Sequence, residues 1–430
     1  MEVPATIEMT TKSETTVSGY VAVVAWVVAS IFFFYQYALR SAPSVMIPEL
    51  SGALGVSAVG LATILGFFYY GYAPFSLVAG VVFDRIGLKV PLTIAAVVVG
   101  IGAMLFATGN PGAASVGRFL QGAAGVFASV GALYIASNFF PPSRTATMNG
   151  ATQMFGMAGG SAGQFAVAPL IAGGMAISFF WMGMGIVAIL LGILLFIFVP
   201  RQEKKPGQEE WFSSSIEALK TVFSNPQSIL CGLIAGLLFI PTTILGMVWG
   251  VRFLQEARGV EYGTAVMQSA AVPLGWIIGC PLLGFISDRI GRRRPVIISG
   301  AFVLMVCLAW ILFGPKDVLP PYTLGLVAGI ASGSAMVPYT VIREVNPTEY
   351  GGTATGVISF LNFSFSALLG PVFGWILQSV SGNAAAELEH YQIAFVPLLY
   401  GVALVLILAL FLKETGPAGR AKSGESTLEV

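Results

Sequence analysis

Two arginines stand inside apolar runs with no acidic residue close by. Arg40 lies in "FFYQYALRSAPSVMIPEL", residues 33–50, after an apolar and aromatic stretch from Val17 to Ala38. Arg118 opens "RFLQG", Arg118 to Gly122. A guanidinium stays charged and presents a planar fork that matches a carboxylate bidentately. Placed at the centre of a bilayer it costs roughly 2.5–3.5 kcal/mol, so something should compensate it. The chemistry on offer is therefore recognition of an anion. Catalysis has little to work with. The only histidine is His390, and Cys231, Cys280 and Cys307 sit singly in apolar runs, without metal-ligand spacing or a disulfide pattern. We read no enzyme, no metal site and no cofactor.

The elements that must position these arginines are membrane helices. Only 10% of the 430 residues are charged and 56% are hydrophobic, with a mean hydropathy of +0.85. A soluble domain carries about 25% charged residues, so this chain cannot cover itself in water. Spans are read near 18–46, 58–83, 91–108, 113–139, 148–172, 177–199, 228–253, 265–286, 295–313, 321–342, 352–378 and 391–412. Each reaches roughly the 20 apolar residues that a crossing needs. They read as helices, because backbone polar groups must be satisfied inside lipid and a barrel would show roughly ten-residue alternation. Twelve spans put both termini on one side. With that side cytoplasmic, only Arg252, Arg258 and Lys316 of the 21 Lys and Arg fall outside, and only Arg40 and Arg118 stay in the membrane. This asymmetry obeys the positive-inside rule. Met1 to Thr16 is polar and acidic and does not read as a cleavable signal peptide. A net charge of +1 without a basic face argues against nucleic acid.

The chain divides into a tail (1–17), six spans (18–199), a linker (200–227), six spans (228–412) and a second tail (413–430). In the linker, Trp211, Ile216, Leu219 and Phe223 recur at about helical spacing, which predicts an amphipathic helix on the cytoplasmic surface. The halves share a loop. "GVVFDRIGLK", Gly80 to Lys89, follows span 2, and "GFISDRIGRR", Gly284 to Arg293, follows span 8. "PPSRTATMNG" near 141–150 is echoed by "PTEYGGTATG" near 347–356. Gly80 and Gly284 allow close helix approach. Asp84 and Asp288 are expected just past helix ends, accepting backbone N–H groups of a neighbouring helix N-terminus. Arg85 and Arg289 can pair with those aspartates or with lipid phosphate, and Gly87 and Gly291 permit the turn. A plain positive-inside loop would not need the same aspartate twice.

The doubled "G-x-x-x-D-R-x-G" resembles the signature loop of the major facilitator superfamily, and "RFLQG" in span 4 resembles its second motif. The resemblance covers about residues 18–412, although Leu88 stands where arginine is common. It implies an all-α membrane protein with twelve transmembrane helices in two pseudo-symmetric six-helix halves, working by alternating access. It also implies that the doubled loop is a gate, latching the halves on the cytoplasmic side.

Arg40 has two placements open to it. If span 1 stops there, the side chain snorkels to the outer surface. If span 1 runs on to Ile47, Arg40 faces a central cavity, and Phe33, Gln36, Tyr37, Arg40 and Ser44 do share one helical stripe. "YALRSAPSVMIP", Tyr37 to Pro48, resembles span 1 of the organophosphate-exchanger and anion–cation-symporter branches, which implies that Arg40 binds an anionic substrate. Span 7 offers Thr242 and Thr243 in place of the exchangers' second arginine. "TQMFGMAGG" lacks their histidine, and Leu39 stands where symporters carry an acid. Gly150, Gly159 and Gly163 match the start of the antiporter glycine series, but Gln164 and Val167-Ala168 break its end. The glycines still suggest close packing.

The expected substrate is a small organic anion or zwitterion: a monocarboxylate, sugar acid or amino acid. Tyr37, Arg40, Arg118, Gln121, Tyr339 and Asn362 are the expected binding residues. Tyr69, Tyr70, Gln153, Gln164, Trp249, Gln268 and Trp276 are further polar or aromatic residues available to line a cavity. The alternatives are a drug or cation efflux antiporter, or a non-transporting receptor of the same fold. We expect a monomer in a bacterial cytoplasmic membrane, with the lipid bilayer as its surroundings and a proton or cation as the coupling partner if there is one.

Overall fold

The computed structural model describes residues 19–140, 142–201, 211–315, 322–347, 350–382 and 386–416. Twelve helices in it are long and apolar enough to cross a membrane. Spans 1 to 6 are Gly19–Val45, Val59–Ala79, Lys89–Phe106, Pro111–Ala136, Ala151–Ala172 and Ile177–Phe198. Spans 7 to 12 are Pro226–Glu256, Tyr262–Ile290, Arg294–Phe313, Thr323–Glu344, Thr353–Ser381 and Leu388–Phe411. These bounds follow the hydropathy reading closely, because a membrane helix satisfies its backbone within its own segment. The predicted linker helix forms as Trp211–Ser224. It buries Ala218 and Val222 and sets the ring of Phe223 6.1 Å from that of Phe360 in span 11. The tails before residue 19 and after 416, and linker residues 202–210, lie outside the described residues.

Below, "linker end" means the end of the bundle where span 6 leaves and span 7 begins, and "far end" the opposite one. Span 1 packs along span 5, where Gly159 and Gly163 leave no room for a Cβ. One would collide with the carbonyl of Phe34 at the first and of Ala38 at the second. Small residues of this kind bring helix backbones together in a bilayer, where the hydrophobic effect gives no help. Between the first six spans and the last six, the most extensive packing joins span 2 to span 11 and span 5 to span 8.

Spans 1, 7 and 10 each pass through a 3₁₀ or π stretch, and span 5 is interrupted by a turn at Ala166. Span 1 is α over Gly19–Ser41 and tightens to 3₁₀ over Ala42–Val45, where Pro43 enters. Span 10 breaks to 3₁₀ at Gly333–Met336. Span 7 is α over Pro226–Pro241, widens to π over Thr242–Trp249, and returns to α at Gly250–Glu256. A Cβ on Gly250 would collide with the carbonyl of Leu245, five residues back, so glycine is what lets the wide turn close. Irregular backbone at membrane depth persists only where protein buries it or a cavity adjoins it, and π turns concentrate at functional positions.

The loop after span 8 differs from its sequence reading. Asp288 lies within the last turn of the helix Tyr262–Ile290, not past its end, and its partner is a side chain: Arg293 Nη1 donates to Oδ1 at 2.5 Å. Arg289, two residues before Gly291, is exposed. Among the described residues, no heavy atom lies within 4 Å of where a Cβ on Gly284 would stand, so none of them makes the close approach expected there. Gly291 does permit the turn, with φ +66° at the helix C-cap. Gly87 likewise follows its helix with φ +80°. The helix Ala58–Ile86 carries Asp84 inside its last turn, while the surroundings of Gly80 and the side chains of Asp84 and Arg85 lie outside what is described.

Candidate functional site

Because span 1 continues to Val45, Arg40 does not reach the surface. Its residue exposure is 3%, and it lines a cavity with Arg118, itself 2% exposed. Span 1 contributes Arg40 and Pro43, and span 2 contributes Ala62, Leu65, Gly66 and Tyr69. The π stretch of span 7 supplies Ile244, Met247, Val248 and Trp249, and span 11 supplies Ser366 and Gly370. The cavity thus lies where the two sets of six spans meet. Its volume is about 20 Å³, room for about one water molecule.

The guanidinium of Arg40 is held by soft and aromatic groups. Its carbon lies 3.9 Å from the ring centroid of Tyr37 and within 6 Å of Phe239 and Phe363, at 5.9 and 5.8 Å. Nη2 donates to the Met247 sulfur at 3.1 Å, while Nε and Nη1 find no acceptor among the described residues. Cation–π contacts of this sort contribute about 0.5–2 kcal/mol each, but they leave the charge without a counter-ion. Arg118 donates to Gln121 Oε1 at 2.7 Å and stands 5.1 Å from the Phe68 ring, again with Nε unpartnered. No carboxylate lines the cavity among the described residues. Two buried cations with open donors and no acid form an arrangement suited to an incoming anion.

Tyr37, Tyr72, Phe239 and Phe363 precede the cavity on its linker side, with Tyr72 and Phe363 4.3 Å apart between ring centroids. On the far side, a Cβ on Gly66 would stand 3.2 Å from Pro371, and Tyr262 donates to the Val45 carbonyl at 2.9 Å. Gln164 Nε2 reaches the Gly246 carbonyl at 2.5 Å and Ser161 the Ala270 carbonyl at 2.9 Å, joining span 5 to the second set of spans.

Of the residues expected from sequence, Arg40 and Arg118 come together on one cavity. Tyr37 and Gln121 do not line it but hold its two arginines. Tyr339 and Asn362 bond to each other instead, Nδ2 to the hydroxyl at 3.2 Å, and do not line it. Tyr69 and Trp249, named among the further residues, do line it, whereas Tyr70 is exposed. Trp276 donates to Thr242 at 2.9 Å. Sequence reasoning missed Met247, since nothing in an apolar run marks one methionine as the partner of an arginine more than 200 positions away.

Near the linker end, Arg293 forms the centre of an ionic cluster. Nη2 meets Glu344 at 2.8 Å, Nη1 meets Asp288, and Nη1 also donates to Ser287 at 3.0 Å. Burial works against its charge, but the hydrogen bonds and charges of Glu344 and Asp288 prevail and hold its pKa above the usual arginine value. Glu414 accepts the backbone N–H groups of Arg293 and Arg294, at 2.6 and 3.1 Å, so the segment after span 12 caps the start of span 9.

Comparison with known proteins places this geometry. A 25% identical relative, a hexuronate transporter of Bacillus subtilis, aligns over 373 residues, 81% of this chain and 86% of its own. The membrane sensor protein UhpC of Salmonella typhimurium is 24% identical over 93% of this chain and 92% of its own. The crystal structure of a bacterial homologue of the human lysosomal transporter Spinster superposes with a TM-score of 0.71 at 14% identity, over 92% of this chain and 98% of that one. The model of the Major Facilitator Superfamily matches residues 28–371, most of the length. The chain belongs to the major facilitator superfamily, a family of membrane transporters and not of enzymes.

Proposed function

We propose that this protein carries a small organic anion across the cytoplasmic membrane by alternating access, binding it at Arg40 and Arg118. The observation that carries the reading is a pair of buried guanidiniums on one cavity whose described lining holds no carboxylate. A carboxylate there would meet the open donors of Arg40 and would neutralise charge that is otherwise costly at that depth. The similarity to a hexuronate transporter favours a sugar acid over a monocarboxylate or amino acid. A cavity of about 20 Å³ is too small for such a solute, so residues 18–199 must rock against 228–412 to admit it. In this scheme Gly80, Asp84, Arg85 and Gly87, with Gly284, Asp288, Arg289 and Gly291, form the paired linker-end gate, and both termini are cytoplasmic. Tyr339 and Asn362 join the solute site as it opens toward that end.

The test is D-glucuronate binding to purified protein, followed by uptake into proteoliposomes. We expect saturable binding, competition by related carboxylates and uptake abolished in Arg40→Ala. Binding by neutral sugars or cations in preference to carboxylates would overturn the reading. The similarity to a sensor protein favours one other role, a receptor of the same fold. Binding with no flux under any imposed gradient would identify it.

A further inference from the structure

Trp249 is not used by the anion site as described, yet its position is unusual. It ends the π stretch of span 7, lines the cavity, is 2% exposed, and its indole N–H has no acceptor among the described residues. The place a Cβ would take on Gly374 of span 11 is 3.4 Å from Trp249 Cζ2 and 3.3 Å from Cβ of Ala62 in span 2. Indole, Gly374 and Ala62 therefore converge between three spans, at the far side of the cavity. Arg252 also faces the ring, its guanidinium carbon 5.7 Å from the centroid. Arg252 pairs with Glu256 at 2.7 Å, and Glu256 accepts from the Tyr391 hydroxyl at 2.6 Å. That chain ties the end of span 7 to span 12 but makes no hydrogen bond to the indole.

A buried N–H without an acceptor is an energetic cost that native structures rarely carry without a reason. Here it means that packing and the Arg252 guanidinium hold the ring and no hydrogen bond does, so the indole can leave without breaking a hydrogen bond and gains one on reaching water. Gly250 beside it stands at the π-to-α junction. We propose that Trp249 is the far-side lid of the cavity, seated on Gly374 and Ala62 when the cavity is shut and withdrawn with the end of span 7 when it opens. The proposal rests on reading the cavity as the solute site, but its test needs no solute.

Ala62→Cys is made in a protein whose Cys231, Cys280 and Cys307 are replaced by serine. It is reconstituted in liposomes and exposed to a membrane-impermeant thiol reagent from the far side. With Trp249 present, labelling is expected to be slow. Trp249→Ala should raise its rate by about tenfold or more, as the open population grows. Trp249→Phe keeps a ring in the gap and should stay slow, which guards against a merely misfolded alanine variant. Equal rates for Trp249 and Trp249→Ala, or a fast rate for Trp249→Phe, would overturn the lid. The labelling is read with no solute present and the anion reading is tested by D-glucuronate binding, so failure of the one and failure of the other are told apart.

Discussion

Replacing Arg40 by lysine keeps the charge and removes the fork. In the structure the guanidinium lies 3.9 Å from the Tyr37 ring centroid, donates to Met247, and leaves Nε and Nη1 open. Those two nitrogens lie on different edges of the guanidinium plane, and each can donate to an anionic oxygen of the solute. A lysine supplies one compact ammonium, so on the proposed reading at least one charged hydrogen bond to the solute is lost. Such a bond contributes about 1.5–3 kcal/mol, which corresponds to one to two decades in affinity. Arg40→Ala, which leaves a desolvated anion unpaired, should cost about 3–5 kcal/mol, or two to four decades. Titration calorimetry with D-glucuronate on detergent-purified protein measures both, with a size-exclusion profile as the folding control. A monodisperse Arg40→Lys protein that binds as tightly as the wild type would refute the argument and leave Arg118 as the sole anion partner.

Further outcomes are expected elsewhere in the molecule. Asp288→Asn should slow turnover several-fold and leave solute affinity in place, since Asp288 lies near the linker end and, among the described residues, its carboxylate meets only Arg293; a parallel loss of affinity would contradict this. Gly159→Leu should lower thermal stability by at least the 1–3 kcal/mol of an ordinary overpacking change, because even a Cβ there collides with the Phe34 carbonyl, and thermal unfolding in detergent reads it. Glu261 caps span 8, its carboxylate held below the usual range by the N–H groups of Gly263 and Thr264. Its pKa is lower folded than unfolded, so the stabilisation is present above the unfolded value of about 4.3 and is lost as pH falls through the folded one. Glu261→Gln should accordingly flatten the acid limb of the melting temperature against pH.

What the sequence by itself determined is local in physical origin. A membrane helix satisfies each N–H within its own segment, so length and hydropathy suffice to place twelve spans and the break between the two sets of six. The glycines of span 5 and the repeated loop were legible for the same reason, as residue types whose spacing constrains a backbone. The candidate site was legible only as far as its charges. Arg40 and Arg118 stood out because an arginine in an apolar run has few explanations, but whether Arg40 snorkelled or faced inward turned on where span 1 ends. Only the tertiary structure decided that, through the 3₁₀ turn that carries span 1 on to Val45. It also decided that Met247 accepts from Arg40, that Asp288 pairs with Arg293 and not with a helix terminus, and that Tyr339 and Asn362 bond to each other. The Met247 and the Tyr339–Asn362 contacts depend on helices brought together by close packing, while Asp288 and Arg293 meet across the turn at Gly291. The widened turn of span 7, which presents Met247 and Trp249 to the cavity, follows from how the spans pack around a void and has no counterpart in periodicity. Burial and neighbours are properties of the assembled bundle, so no stretch of the chain records them alone.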